Sequence, residues 1–133
     1  MKKAKILLVD DEVAFTKYLS FFLSKRGHAV TAVYDGPSAI NIVDEDDFDV
    51  AVLDLRMPGL DGIETLKVLK KKKPFMEVII LTGHGTIDSA IKGVECGAFD
   101  YATKPIVIVD LYKRIAEAFE RKTLHEAQTR EQP

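Results

Sequence analysis

KILLVDDEVAF, residues 5–15, sets a four-residue apolar run directly against three acids, Asp10, Asp11 and Glu12, before the apolar spacing of a helix resumes. An apolar run of that length followed at once by a helical pattern predicts a buried strand feeding a helix, the first half of a βα unit. Adjacent carboxylates at the end of such a strand repel each other and resist burial. Either they merely start the helix, or something positive lies between them.

Working outward, the same alternation continues to the end of the chain. Strand-like runs are expected at residues 6–9, 29–34, 50–53, 78–81 and 100–103. Helical patterns lie between them, clearest where Phe15, Tyr18, Leu19, Phe22 and Leu23 recur at i, i+3, i+4, i+7 and i+8. Gly27 is placed to end that helix, and Gly36-Pro37 to open the second. Asp61 with Glu64 three residues later opens the third as an acidic capping box. Thr86 is a cap for the fourth, and Asp110 or a neighbour starts the fifth. Five strands alternating with five helices predict a doubly wound α/β fold, a parallel sheet with helices on both faces joined by right-handed crossovers. Periodicity leaves strand order open, but in such folds ligands bind at the carboxyl ends of the strands, where the winding reverses.

Composition narrows the function classes. At 133 residues, 47% hydrophobic and 30% charged, the chain is expected to be one soluble globular domain with its own core. A net charge of −2 supplies no basic field toward nucleic acid or membrane. No stretch approaches the roughly 20 apolar residues of a membrane span. Four apolar residues after the basic N-terminus are too few for a signal-peptide core. One cysteine, Cys96, excludes an internal disulfide framework, so a cytoplasmic setting is expected. Cys96 lies in an apolar helix pattern and reads as a small core residue. The four lysines at residues 70–73 read as a solvated helix end favourable to the macrodipole rather than a nucleic-acid patch. From Phe119 the sequence FERKTLHEAQTREQP turns polar, so residues 1–120 are expected to form the domain. Residues 121–133 would be a polar helical extension or a linker.

The strand ends carry the chemistry. The first ends in Asp10-Asp11, the third in Asp54, the fourth in Thr82 and the fifth in Lys104-Pro105. Asp54 stands between Leu53 and Leu55, where burial and β-propensity both disfavour aspartate, so its carboxylate needs a cation or hydrogen-bond donors. Oxygen ligands without His or Cys spacing point to Mg²⁺, with Mn²⁺ as substitute. A carboxylate nucleophile, a metal, a lysine and a hydroxyl together suit a phosphoryl group, which an aspartate can itself accept. Taken singly each signal is ordinary: Asp11 as a helix N-cap, Thr82 as a strand end, Lys-Pro as a turn. Together, on the matching strand ends of one α/β chain, they are specific.

ILLVDDE, VLDLRMPGLDG, ILTGHG and DYATKP, in this order and spacing, resemble the receiver domain of bacterial two-component response regulators over residues 4 to about 120. LTGHGTIDSAIKGVECGAFDYATKP is most similar to receivers of AAA+ transcriptional activators. The resemblance implies a flavodoxin-like strand order 2-1-3-4-5. It implies Asp54 as phosphoacceptor, supplied by a sensor histidine kinase or phosphotransfer protein. Asp11 would ligate Mg²⁺ directly, Asp10 through water, and Arg56 by its backbone carbonyl. Thr82 and Lys104 would contact the phosphoryl oxygens, Tyr101 would be the aromatic switch, and the Lys104–Pro105 peptide would be cis. Pro58-Gly59 and Asp61-Gly62 would make the turn that presents the Arg56 carbonyl, and Gly83 and Gly85 would leave Thr82 room to move. Arg56 and His84 flank the site without an acid or amide to orient water, so slow self-dephosphorylation is expected. The apolar segment IVIV, residues 106–109, would be a sticky edge if exposed, part of a face of helix 4, strand 5 and helix 5 able to support a homodimer.

Two other classes stand against a working receiver. A receiver-like module that is never phosphorylated would have no use for the charge cluster. A phosphohydrolase or nucleotide enzyme would need a Gly-rich phosphate loop after the first strand, and the sequence has none. Direct DNA contact is not expected, because no helix-turn-helix is present. The chain fits a stand-alone regulator or an N-terminal regulatory domain cut from a longer activator.

Overall fold

The computed structural model describes residues 3–56, 61–83 and 87–131. The expectations for Pro58-Gly59, His84, Gly85 and Thr86 lie outside those residues. The chain alternates without exception: β1 (Lys5–Val9), α1 (Val13–Lys25), β2 (Ala29–Val33), α2 (Gly36–Glu45), β3 (Val50–Asp54), then α3 (Gly62–Lys72), β4 (Glu77–Thr82), α4 (Ile87–Glu95), β5 (Asp100–Thr103) and α5 (Ile108–Glu131). All five strands pair in parallel in the order β2-β1-β3-β4-β5. The winding reverses beside β1, so the carboxyl ends of β1 and β3 border the crevice where such folds bind ligands.

Burial explains why these runs become strands. Every residue of β3 and β4 is buried, as continuous apolar runs covered on both faces require. One apolar cluster, with Leu7, Leu53, Leu66 and Ile80, fills the space under α2, α3 and α4. The other, with Ile6, Leu8, Leu19, Val52, Ile79 and Ile115, lies under α1 and α5. Local chemistry sets the helix ends. The Asp35 carboxylate accepts the Ser38 N–H at 2.7 Å, and Asp61 accepts the Ile63 N–H at 2.8 Å. Glu64 does not close the expected box but faces Lys67 at 3.5 Å. Gly27, at φ +93°, follows α1 in the left-handed conformation that glycine adopts without strain.

Two further expectations change in detail. Tyr18 is exposed although it falls on the apolar repeat of α1, and the buried Thr16 takes an inward place instead, its hydroxyl donating to the Val13 carbonyl. The lysine run is paired rather than merely solvated. Lys72 meets Asp44 at 2.9 Å, Lys73 meets Asp47 at 2.7 Å, and Lys70 meets the buried Glu77 at 3.2 Å, which ties α3 to the end of α2 and the base of β4.

The polar sequence after Phe119 is helical through Glu131, in a helix about 36 Å long. Lys122 reaches Asp49 at 2.8 Å and Glu126 at 2.8 Å, and Arg121 reaches Glu77 at 3.1 Å. Lys122 and Asp49 are both largely buried, so removing one charge strands the other. Lys122→Met is expected to cost about 2 kcal/mol and to loosen the last turns of α5. Urea denaturation and amide exchange over residues 119–131 check both effects.

Candidate functional site

The functional side chains gather because strands in register end together. Asp54 is the last residue of β3 and pairs with Leu81, one before Thr82, the last residue of β4. Asp10 follows β1 directly, and Lys104 follows β5, its N–H donating to the Thr82 carbonyl at 2.8 Å. The Lys104–Pro105 peptide is cis.

At the centre of the group is an ammonium among carboxylates. Lys104 Nζ lies 2.9 Å from Asp10 Oδ2, 2.7 Å from Glu12 Oε1 and 3.7 Å from Asp54 Oδ2, and 4.5 Å from the Phe15 ring centroid. Burial pushes the Lys104 pKa down, but its bonds to Glu12 and Asp10 and the charge of Asp54 outweigh that and hold it above the ordinary lysine value. Asp10 is buried at 2% exposure, its other oxygen accepting the Glu12 N–H at 2.9 Å.

Asp54 is 5% exposed. Its pKa is pushed up to about 6, first by burial and then by the charges of Asp10 and Asp11. The Arg56 N–H, donating to Asp54 Oδ1 at 3.1 Å, and the nearby Lys104 oppose that rise without cancelling it.

Oxygen atoms of Asp10, Glu12 and Asp54 lie within 4.8 Å of one another, the set among the described residues able to hold a metal ion. The donors are oxygens alone, and an ammonium is already drawn among them, so the set fits a hard divalent cation. Asp11, expected as the direct ligand, is exposed and outside that set, although its charge reaches Asp54. The sequence reading passed over Glu12. No local signal marked it, because an acid at the start of a helix already has a role there.

Thr82 is buried at the pocket wall, its hydroxyl donating to the Gly83 carbonyl at 3.2 Å. Among the described residues, a Cβ at Gly83 would meet no atom within 4 Å. Tyr101, in β5, is half-buried against the cluster that contains Ile80 and Ala90. Farther out, Ile87, Ile91, Val94, Val107 and Val109 are exposed, so residues 106–109 do present apolar surface. No helix among the described residues is long and apolar enough to cross a membrane.

A doubly wound sheet that gathers an acidic pocket and a lysine at the carboxyl ends of its strands is the arrangement of a receiver, a phosphoacceptor signalling module. The chain belongs to the response regulator receiver domain family, whose model matches residues 6–116. It is 39% identical over 111 residues to the transcriptional regulatory protein TcrA of Mycobacterium tuberculosis, covering 84% of this chain and 44% of that protein. It is 35% identical to GlrR of Escherichia coli, covering 90% of this chain and 27% of GlrR. The crystal structure of NtrX from Brucella abortus superposes with a TM-score of 0.91 at 31% identity, over 96% of this chain and 30% of that one. Homologues thus include activators of the AAA+ class, and the chain spans less than half the length of these relatives.

Proposed function

We propose that the chain is a phosphorylation-dependent switch in which Asp54 accepts a phosphoryl group from a phosphohistidine on a sensor kinase or phosphotransfer protein. The observation that carries this reading is the buried Asp54 carboxylate facing Lys104 and Asp10 at the strand ends. An Asp54 oxygen forms the new bond to phosphorus as the donor phosphorus–nitrogen bond breaks, its electron pair leaving with the imidazole. Lys104 lies within reach to neutralise charge on the equatorial oxygens, and the Thr82 hydroxyl, now on the Gly83 carbonyl, is free to turn to them. The Arg56 N–H holds one Asp54 oxygen and leaves the other for attack. Mg²⁺ (or Mn²⁺), held by Asp10 and Asp54 with Asp11 and the Arg56 carbonyl as the family resemblance assigns, would neutralise phosphoryl charge when bound.

Acetyl phosphate with Mg²⁺ is expected to add one phosphoryl group, read by intact-mass spectrometry, and chelation should abolish it. An adduct that forms equally without divalent cation would refute the metal requirement.

The signal leaves through α4, β5 and α5. A phosphoryl group brings roughly one to two negative charges and new acceptor oxygens, and the Thr82 hydroxyl turning toward it vacates space for the half-buried Tyr101 ring. The exposed Ile87, Ile91, Val94, Val107 and Val109 then shift between two pre-existing arrangements, one favouring a homodimer or partner. Sedimentation with a beryllofluoride mimic should show increased mass, or amide exchange should change over residues 87–115, and Tyr101→Ala should blunt either. No change in both would refute the mechanism.

The setting is cytoplasmic, where sensor kinases present their phosphohistidine. The length of the relatives supports the chain as the regulatory domain of a longer transcriptional activator, which the length of the natural reading frame decides.

A further inference from the structure

We infer that Glu12 is a positioning residue that draws the Lys104 ammonium out of the carboxylate cluster when a divalent cation enters. The inference rests on reading that cluster as a cation site. Lys104 Nζ is within 2.9 Å of Asp10, 2.7 Å of Glu12 and 3.7 Å of Asp54, so it occupies the space in which those oxygens would converge on a metal. A single and a double positive charge in a cluster only 4.8 Å across repel strongly, and the ammonium has to give way.

The three carboxylates differ in their freedom to go with it. The side chains of Asp10 and Asp54 are 3% and 7% exposed, fixed by burial and by the Glu12 and Arg56 N–H groups. The Glu12 side chain is 62% exposed and already makes the shortest of the three contacts. It stands at the N-cap of α1 yet makes no capping bond, so no backbone donor holds it back. Phe15, three residues on, offers its ring face to the same ammonium. Glu12 can therefore shift with Lys104 still paired, taking the ammonium from between the carboxylates to the rim of the pocket and leaving Asp10 and Asp54 to the incoming cation.

The test is a cycle of Mg²⁺ dissociation constants by titration calorimetry on wild type, Glu12→Gln, Lys104→Met and the double variant, above the pH at which Asp54 titrates. Glu12→Gln is expected to weaken Mg²⁺ binding roughly tenfold where Lys104 is present and by less than about twofold where it is not. Lys104→Met alone should bind Mg²⁺ at least as tightly as wild type. Equal weakening in both backgrounds would make Glu12 a direct ligand and overturn the inference. Tighter binding in Glu12→Gln would make it a simple latch and overturn it as well. Absence of Mg²⁺ binding in all four proteins would instead defeat the cation-site reading beneath it. Glu12 is exposed, so unchanged thermal midpoints in Glu12→Gln confirm that folding is not what the cycle reports.

Discussion

Asp54→Asn is expected to stabilise the metal-free protein at neutral pH and to remove a decline that wild type shows between about pH 4 and pH 7. The direction follows from the pKa of Asp54, raised to about 6 in the folded chain from the ordinary 3.8. A carboxyl group with a raised folded pKa binds its proton more tightly folded than unfolded. Its contribution is fully present below the unfolded value and is lost as pH rises through the folded one. The difference corresponds to on the order of 2 to 3 kcal/mol at neutral pH. Asparagine keeps the acceptor for the Arg56 N–H but carries no charge to bury. Urea midpoints of both proteins across that pH range, with chelator present, measure the effect. Parallel pH curves would show that the buried charge costs nothing. Mg²⁺ should restore wild-type stability at neutral pH and leave the variant unmoved, because bound cation favours the ionised carboxylate.

Gly62→Ala is expected to be strongly destabilising. A Cβ at Gly62 would stand 2.5 Å from Leu55 Cα and 2.6 Å from the Leu55 carbonyl oxygen, both backbone atoms that cannot step aside. Overpacking against a side chain costs typically 1–3 kcal/mol, and a backbone obstacle at the buried start of α3 should cost more than about 3 kcal/mol. Gly93→Ala is the internal comparison. Its nearest obstacle, at 2.1 Å, is the tip of the Ile80 side chain, which can rotate, so a smaller loss is expected. Thermal or urea denaturation of the two variants checks the order. Leu55 precedes Arg56, so the same substitution should also disturb the N–H bond to Asp54.

How far the fold could be read in advance depended on whether the signal was local. The apolar runs placed all five strands to within about a residue: burial on both faces leaves β1, β3 and β4 little choice of residue, and turn signals bound the less buried β2 and β5. Strand order needed the resemblance, since no local pattern records which strands pair. Tyr18 escaped because helical spacing marks a face and not its depth, and the tyrosine falls at the edge of that face, exposed, with its ring edge-on to Phe22. The lysine run and the polar end of α5 were ambiguous for one reason. Their partners are distant in sequence, Asp44 from Lys72 by 28 residues and Asp49 from Lys122 by 73.

The strand-end residues were legible because charge in an apolar run demands a reason. Glu12 was not, because an acid opening a helix already has one. Only the position of the Lys104 ammonium separates the two roles.

The most direct test of the central claim is to phosphorylate the protein with acetyl phosphate and Mg²⁺, reduce it with borohydride, and map the product by peptide mass spectrometry. An acyl phosphate on aspartate is reduced to homoserine, which marks the acceptor residue. The account predicts homoserine at residue 54, dependent on divalent cation, and no product in Asp54→Asn. Homoserine at position 10 or 11, or equal labelling of Asp54→Asn, would contradict it.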